Sequence, residues 1–152
     1  MIDTLPATVS NFDVIEAGLA TLLQVDMPLT HIFTPGIYVR QIEIPAGTLL
    51  TSMEHLTEHP FFILKGRIEV RSEFERIEYC APCMGITKPG TRRILYAVED
   101  TIWATVHANP DNLKTPEEIG AVILNHEANA LIGDPSAFMW RNSTERFIER
   151  EN

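Results

Sequence analysis

From His31 onward the chain alternates apolar and polar residues in short runs, and this period of two most constrains what it can fold into. Ile37–Ile44, Leu49–His55, Pro60–Lys65, Arg67–Arg71, Arg76–Tyr79, Met84–Thr87, Arg92–Val98 and Thr101–His107 each read as a strand. Turn residues separate them: Pro45-Ala-Gly47, Gly66, Ser72 to Phe74, and Pro89-Gly90. In Arg67–Arg71 the apolar Ile68 and Val70 alternate with Glu69 and Arg71, which predicts one buried and one wet face. Short strands with a turn signal every 8 to 12 residues or so predict a sandwich or barrel, read here as a double-sheet jelly roll.

Helical spacing flanks this region. Ser10 or Asn11 can cap a helix in which Phe12, Ile15, Leu19, Leu22 and Leu23 share one face, with Gly18 a weak point and Asp26-Met-Pro28 its end. An amphipathic helix has to cover something, either the sheet or a neighbouring subunit. After Asn109, Thr115-Pro-Glu-Glu118 is a capping box with Pro at the first helical position, leading a helix toward His126 or Ala130. Gly133-Asp-Pro135 breaks it, and a tail with Phe138, Met139, Trp140, Phe147 and Ile148 needs a surface to cover. At 152 residues there is room for one full core. The expectation is a mainly β chain with a helical arm over 1–30, a barrel over 31–110 and a helical extension over 111–152.

Within the strands, His55 and His59 stand at the two ends of a three-residue loop, between Thr51, Met53 and His55 of one parity and His59, Phe61 and Ile63 of another run. A hairpin there brings the imidazoles within one side chain's reach, half of a metal site. The alternative is a pair of hydrogen-bonded histidines in a polar pocket. His107 is the natural third ligand if its strand pairs with Thr91–Ala97, and a one-residue slip would turn it outward. Zn, Ni, Fe and Mn all suit such a set.

The same stretch resembles the first sequence motif of the cupins, in which a Gly leads to His-x-His, then a Glu, then a Gly at a turn. Gly47 and Gly66 match, His55 matches the second histidine, His59 stands at the usual Glu, and Met53 stands at the first histidine. Gly85-Ile-Thr-Lys-Pro-Gly90-Thr-Arg-Arg93 resembles the second motif, with Arg93 where that motif has a histidine. His-Leu-Thr-Glu-His59, Lys88-Pro-Gly-Thr-Arg-Arg93 and Thr105-Val-His107 are similar to small cupin-like proteins encoded by tailed bacteriophages. The resemblance covers roughly residues 31–110. It implies a cupin-type jelly-roll barrel with a divalent metal, in a homo-oligomeric accessory or structural protein of the phage virion or its assembly. The terminal segments would then dock on other structural proteins. The alternative it implies is a metal-dependent enzyme, a dioxygenase or isomerase of a small carboxylic acid.

Other residues carry weaker signals. Arg93 is either a fixed cation for an anionic ligand or an arm of an ion pair with Glu78 or Glu99. Glu58 is a ligand, a partner to an imidazole N–H, or solvated, while Glu54 alternates toward solvent. Tyr38, Tyr96 and Trp103 line a barrel mouth or belong to the core. His31 and His126 read as surface or cap residues. Cys80 and Cys83 form one C-x-x-C without the second pair or βαβ context a zinc or redox site needs, and read as reduced thiols at a strand end. A net charge of −9 argues against nucleic acid, although Arg71, Arg76, Arg92 and Arg93 can form a local basic patch. No apolar run approaches the ~20 residues of a membrane span, and no basic n-region opens the chain. A cytoplasmic or virion-associated protein is expected.

Overall fold

The computed structural model describes residues 12, 14–15, 18, 25–125 and 144–149. The strands are β1 (Leu29–Thr34), β2 (Gly36–Ile44), β3 (Leu49–Thr51), β4 (His59–Lys65), β5 (Arg67–Arg71), β6 (Arg76–Cys80), β7 (Cys83–Thr87), β8 (Ile94–Ala97), β9 (Thr101–Asn109) and β10 (Glu145–Ile148), with helix α1 (Pro116–Ile123) between the last two. A six-stranded sheet runs in the order β10-β1-β2-β9-β4-β7 and a four-stranded sheet in the order β3-β8-β5-β6. Within them every pairing is antiparallel except β10 on β1, which is parallel. The two facing sheets form the expected jelly roll.

Consecutive strands mostly cross from one sheet to the other, which corrects two pairings expected from sequence. His55 and His59 do not end a hairpin. β3 pairs with β8 in the small sheet and β4 with β7 and β9 in the large one, so Ser52–Glu58 bridges the layers. β9 pairs with β2 and β4 rather than with Thr91–Ala97. Gly66 likewise makes a corner between sheets at φ +86°, and an added Cβ would strike the Asp100 carbonyl.

The core follows the pleat. On β9 the buried residues Thr101, Trp103, Thr105, His107 and Asn109 share one parity, as do His59, Phe61 and Ile63 on β4. Ile63 faces Trp103 and Phe61 faces Thr105, while Tyr38 of β2 faces His107. The interior is therefore graded: Ile42, Ile44, Ile63, Ile68 and Trp103 fill one end, and imidazoles gather at the other. Each fully buried aliphatic or aromatic side chain contributes roughly 1.5–3 kcal/mol. Gly85 lets the Phe61 ring close over β7, since a Cβ there would lie 2.6 Å from the ring's Cζ.

The flanks refine the expectation. Phe12 and Ile15, in helical conformation, pack with Ile94, Leu49 and Tyr96, so these two residues cover part of the outer face of the small sheet. Leu19, Leu22 and Leu23 of that helix, and His126, Gly133, Phe138 and Trp140 beyond α1, lie outside the described residues. The capping box forms: Thr115 Oγ1 accepts from Glu118 N at 3.2 Å, although the Glu118 carboxylate takes the Lys114 N–H at 2.9 Å. The helix stops at Ile123, sooner than expected, because Leu124 turns into an isolated bridge with His55. Ile119, Ile123 and Leu124 pack with Tyr38 and Met53, seating α1 over the histidine end of the barrel. Phe147 and Ile148 belong to strand β10, so the C-terminal extension is not wholly helical.

Glu69 and Arg71 are buried, not wet. Their outward face is covered, and burial is tolerated because Glu69 Oε1 accepts from Arg71 Nε at 2.7 Å and Arg76 Nε at 2.6 Å. The four arginines accordingly make no basic patch: Arg71 and Arg76 are spent on Glu69, Arg92 lies over the Phe12 ring, and Arg93 points inward.

Candidate metal centre

Three elements deliver three imidazoles to one point. His59 opens β4, His107 lies near the end of β9, and His55 sits on the crossing segment. The segment is pinned by the His55–Leu124 bridge and by Gly90 N donating to the His55 carbonyl at 3.0 Å. Ring centroids are 4.5 Å apart for His55 and His59, 4.4 Å for His59 and His107, and 5.3 Å for His55 and His107. One nitrogen from each lies within 4.8 Å of the other two. His59 and His107 are buried and His55 is half-buried.

The donor set fits a divalent cation. His55 Nδ1 lies 3.0 Å from the Met53 carbonyl and His59 Nδ1 3.1 Å from the Thr57 carbonyl. A carbonyl only accepts, so both Nδ1 atoms carry the proton and both Nε2 atoms carry the lone pair a metal needs. His107 Nε2 lies 2.8 Å from Thr105 Oγ1, two residues back on the same face of β9. Burial pushes His55 down to about 3 and His107 to about 2, with neighbouring imidazoles adding to it, and lowers His59 with help from Arg93. All three are neutral at physiological pH, so no proton competes with a cation. Nitrogens sharing one ion at about 2.0–2.1 Å each lie no more than ~4.2 Å apart, so the 4.8 Å spread closes by a small side-chain rotation.

A cavity of about 60 Å³ adjoins the cluster, lined by Arg40, Arg93, Ser52, Met53, His55, His59 and Thr105 with an apolar wall that includes Ile42, Leu95 and Trp103. Arg93 is held by reciprocal bonds with Ser52, backbone N to Oγ at 3.0 Å and Ser52 N to the Arg93 carbonyl at 2.9 Å. Its Nη2 donates to Thr87 Oγ1 at 2.8 Å, and its guanidinium lies 5.6 Å from the Phe61 ring centre and 5.4 Å from that of Trp103. The expected ion pairs with Glu78 or Glu99 are absent, because both carboxylates approach Arg67 instead.

The remaining expected site residues fall elsewhere. Tyr38 is fully buried behind the cluster, stacked 5.7 Å from His107, and does not line the cavity. Tyr96 packs on the outer face of the small sheet with Phe12 and Ile94. Trp103 does form part of the cavity wall. Glu58 is exposed; Glu54 is half-buried and accepts from Asn125 Nδ2 at 2.7 Å rather than facing solvent alone.

Two residues were missed. His31, expected at the surface, has no exposure: its Nδ1 lies 2.6 Å from Tyr38 Oη and its Nε2 3.2 Å from Glu145 Oε1. Its partner Glu145 lies 114 positions away, which no local pattern reveals. Arg40 was legible, since it shares parity with Tyr38, Ile42 and Ile44 on β2 and so had to point inward.

No protein-family model and no curated protein matches the chain. Solved structures do. The Cnp3 cupin domain of Schizosaccharomyces pombe is 16% identical over 76% of this chain and 73% of its own, with a TM-score of 0.48. A cupin-2 domain containing protein from Shewanella frigidimarina is 12% identical over 66% of this chain and 95% of its own, at 0.45. KdgF from a Halomonas species is 16% identical over 53% and 79%, at 0.44. At these levels of similarity, the chain's own side chains decide what the site can do.

Proposed function

We propose that this chain is a small cupin-type protein that holds one divalent metal ion on His55, His59 and His107. The observation that carries this is the convergence of three neutral imidazoles, two of them with Nδ1 committed to a backbone carbonyl, beside a cavity that His55 and His59 help to line. Three protein ligands leave positions for exchangeable ligands. When bound, the ion supplies Lewis acidity toward whatever occupies the cavity. Thr105 orients His107, and α1 packs on Tyr38 and Met53 at the same end of the barrel. Elemental analysis of tag-free protein tests it, with about one Zn, Ni, Fe or Mn expected per chain. Absence of metal, before and after incubation with Zn²⁺, Ni²⁺ or Co²⁺, would overturn it.

A second reading, as an accessory or assembly protein that works through contacts between copies of this chain, draws on the surface. Strand β7 ends the large sheet with Met84 and Ile86 exposed by 74% and 66%. An apolar edge strand favours pairing with another chain. Native mass decides this reading: a homo-oligomer that Met84→Lys with Ile86→Lys reduces to monomer supports it, and a wild-type monomer sinks it.

A further inference from the structure

The cavity wall has an imbalance of charge. Among the described residues, the guanidinium groups of Arg40 and Arg93 line it and no carboxylate does. A buried cation is costly unless it is compensated. Burial lowers the pKa of both arginines. Arg93 spends Nη2 on the neutral Thr87 hydroxyl, and its buried Nε has no hydrogen-bond partner. Favourable fields reach Arg93 through space from Tyr79 and from Glu75 on the exposed Ser72–Glu75 turn, and Arg40 from Tyr38 and Glu145. A divalent cation on the three histidines would add two more positive charges to the same enclosure.

We propose that the cavity is an anion site, in which Arg93 holds the carboxylate of a small monocarboxylic acid whose hydrocarbon end lies against Trp103, Ile42 and Leu95. A planar carboxylate matches the fork of a guanidinium better than a spherical anion does. The apolar wall of Ile42, Ile44, Leu50, Leu95 and Trp103 asks for a hydrocarbon end rather than a second charge. One water needs roughly 10–15 Å³ of such space, so 60 Å³ admits about four to six non-hydrogen atoms, the size of acetate, propionate or lactate. This deepens the metal-centre reading and rests on it only for a second attachment of the ligand, because Arg93 can hold a carboxylate without the ion.

The test uses the full chain, stripped of metal with a chelator and titrated with sodium propionate against sodium chloride at equal ionic strength, by calorimetry and thermal midpoint. Saturable binding of propionate but not chloride is expected, about ten- to a hundredfold weaker in Arg93→Gln, the loss of one charge-assisted hydrogen-bonded contact. Nuclear Overhauser contacts from the propionate methyl to the Trp103 indole are expected as well, and they decide the matter if Arg93→Gln does not fold. No saturable response in the wild type would overturn the site. So would equal affinity in a folded Arg93→Gln, no contact with Trp103, or equal competition by sulfate. Propionate binding without metal uptake upholds the anion site and removes the metal centre; metal uptake without propionate binding does the reverse.

Discussion

His31 and the cluster of His55, His59 and His107 are all buried or half-buried imidazoles within one barrel, yet their surroundings differ in kind. His31 stands between two side chains. The Glu145 carboxylate accepts from Nε2–H, so Nδ1 is the acceptor and takes the Tyr38 O–H. The ring also stacks on Phe147 at 5.0 Å. Both its nitrogens are committed to protein, and its work is to fasten β10 to β1 and Tyr38 behind the cluster. His55 and His59 instead turn one nitrogen to their own backbone and converge on His107 with the other ring edges. Burial alone therefore does not mark a site; what the second nitrogen faces does.

The largest expected difference is in metal content. His55→Ala, His59→Ala and His107→Ala should each drop it from near one per chain to near zero with the far-ultraviolet dichroism kept, whereas His31→Gln should leave it unchanged. Loss of metal in His31→Gln would erase the distinction.

Acid should separate the two next. The His31 pKa falls from 6.5 to about 4 through burial, with Arg40 adding to it. A histidine with a depressed folded pKa favours folding while it is neutral. Its contribution is complete above pH 6.5 and is lost as pH falls from there through 4, by about 3 kcal/mol in all. Urea midpoints between pH 7 and 4 should therefore fall less steeply in His31→Gln than in the wild type. Identical slopes would mean that His31 is protonated in the folded state.

Thr105→Val sharpens the cluster's side of the comparison. Removing the group that orients His107 should weaken Co²⁺ binding by about ten- to a hundredfold, read from its visible absorption, with little change in stability. A loss of stability with unchanged affinity would make Thr105 a packing residue. Glu145→Gln is the smallest expected effect, about 1 kcal/mol of destabilisation from one weakened hydrogen bond at a partly exposed carboxylate, with affinity for metal untouched. A measurable drop in Co²⁺ affinity there would show that the Tyr38 contact reaches the cluster.

Much of this was legible without coordinates. Period-two alternation placed β2 to β9 within a few residues but missed β1 and β10, and Thr115 with Pro116 and Glu118 announced α1. The spacing of His55 and His59, read with the motif around them, anticipated that the two imidazoles meet but through the wrong connection, since the link is a crossing between sheets and not a hairpin. Parity left the direction of His107 open to a one-residue slip; the observed pairing of Tyr38 with His107 and Phe61 with Thr105 turns it inward. The burial of Glu69 and Arg71 escaped because alternation says which residues share a face, not whether something covers that face.

Sequence by itself thus determined the local terms: strand and helix character, the turns at Gly47, Gly66 and Gly90, and the supply of imidazoles and arginines. These follow from backbone sterics and side-chain period, which act over a few residues. Tertiary structure alone decided which sheet each strand joins, that α1 closes the histidine end, that Glu145 reaches His31, and that Arg93 turns from Glu78 and Glu99 toward a cavity without acid. Those outcomes depend on which distant surfaces come into contact, and desolvation is settled only when they do.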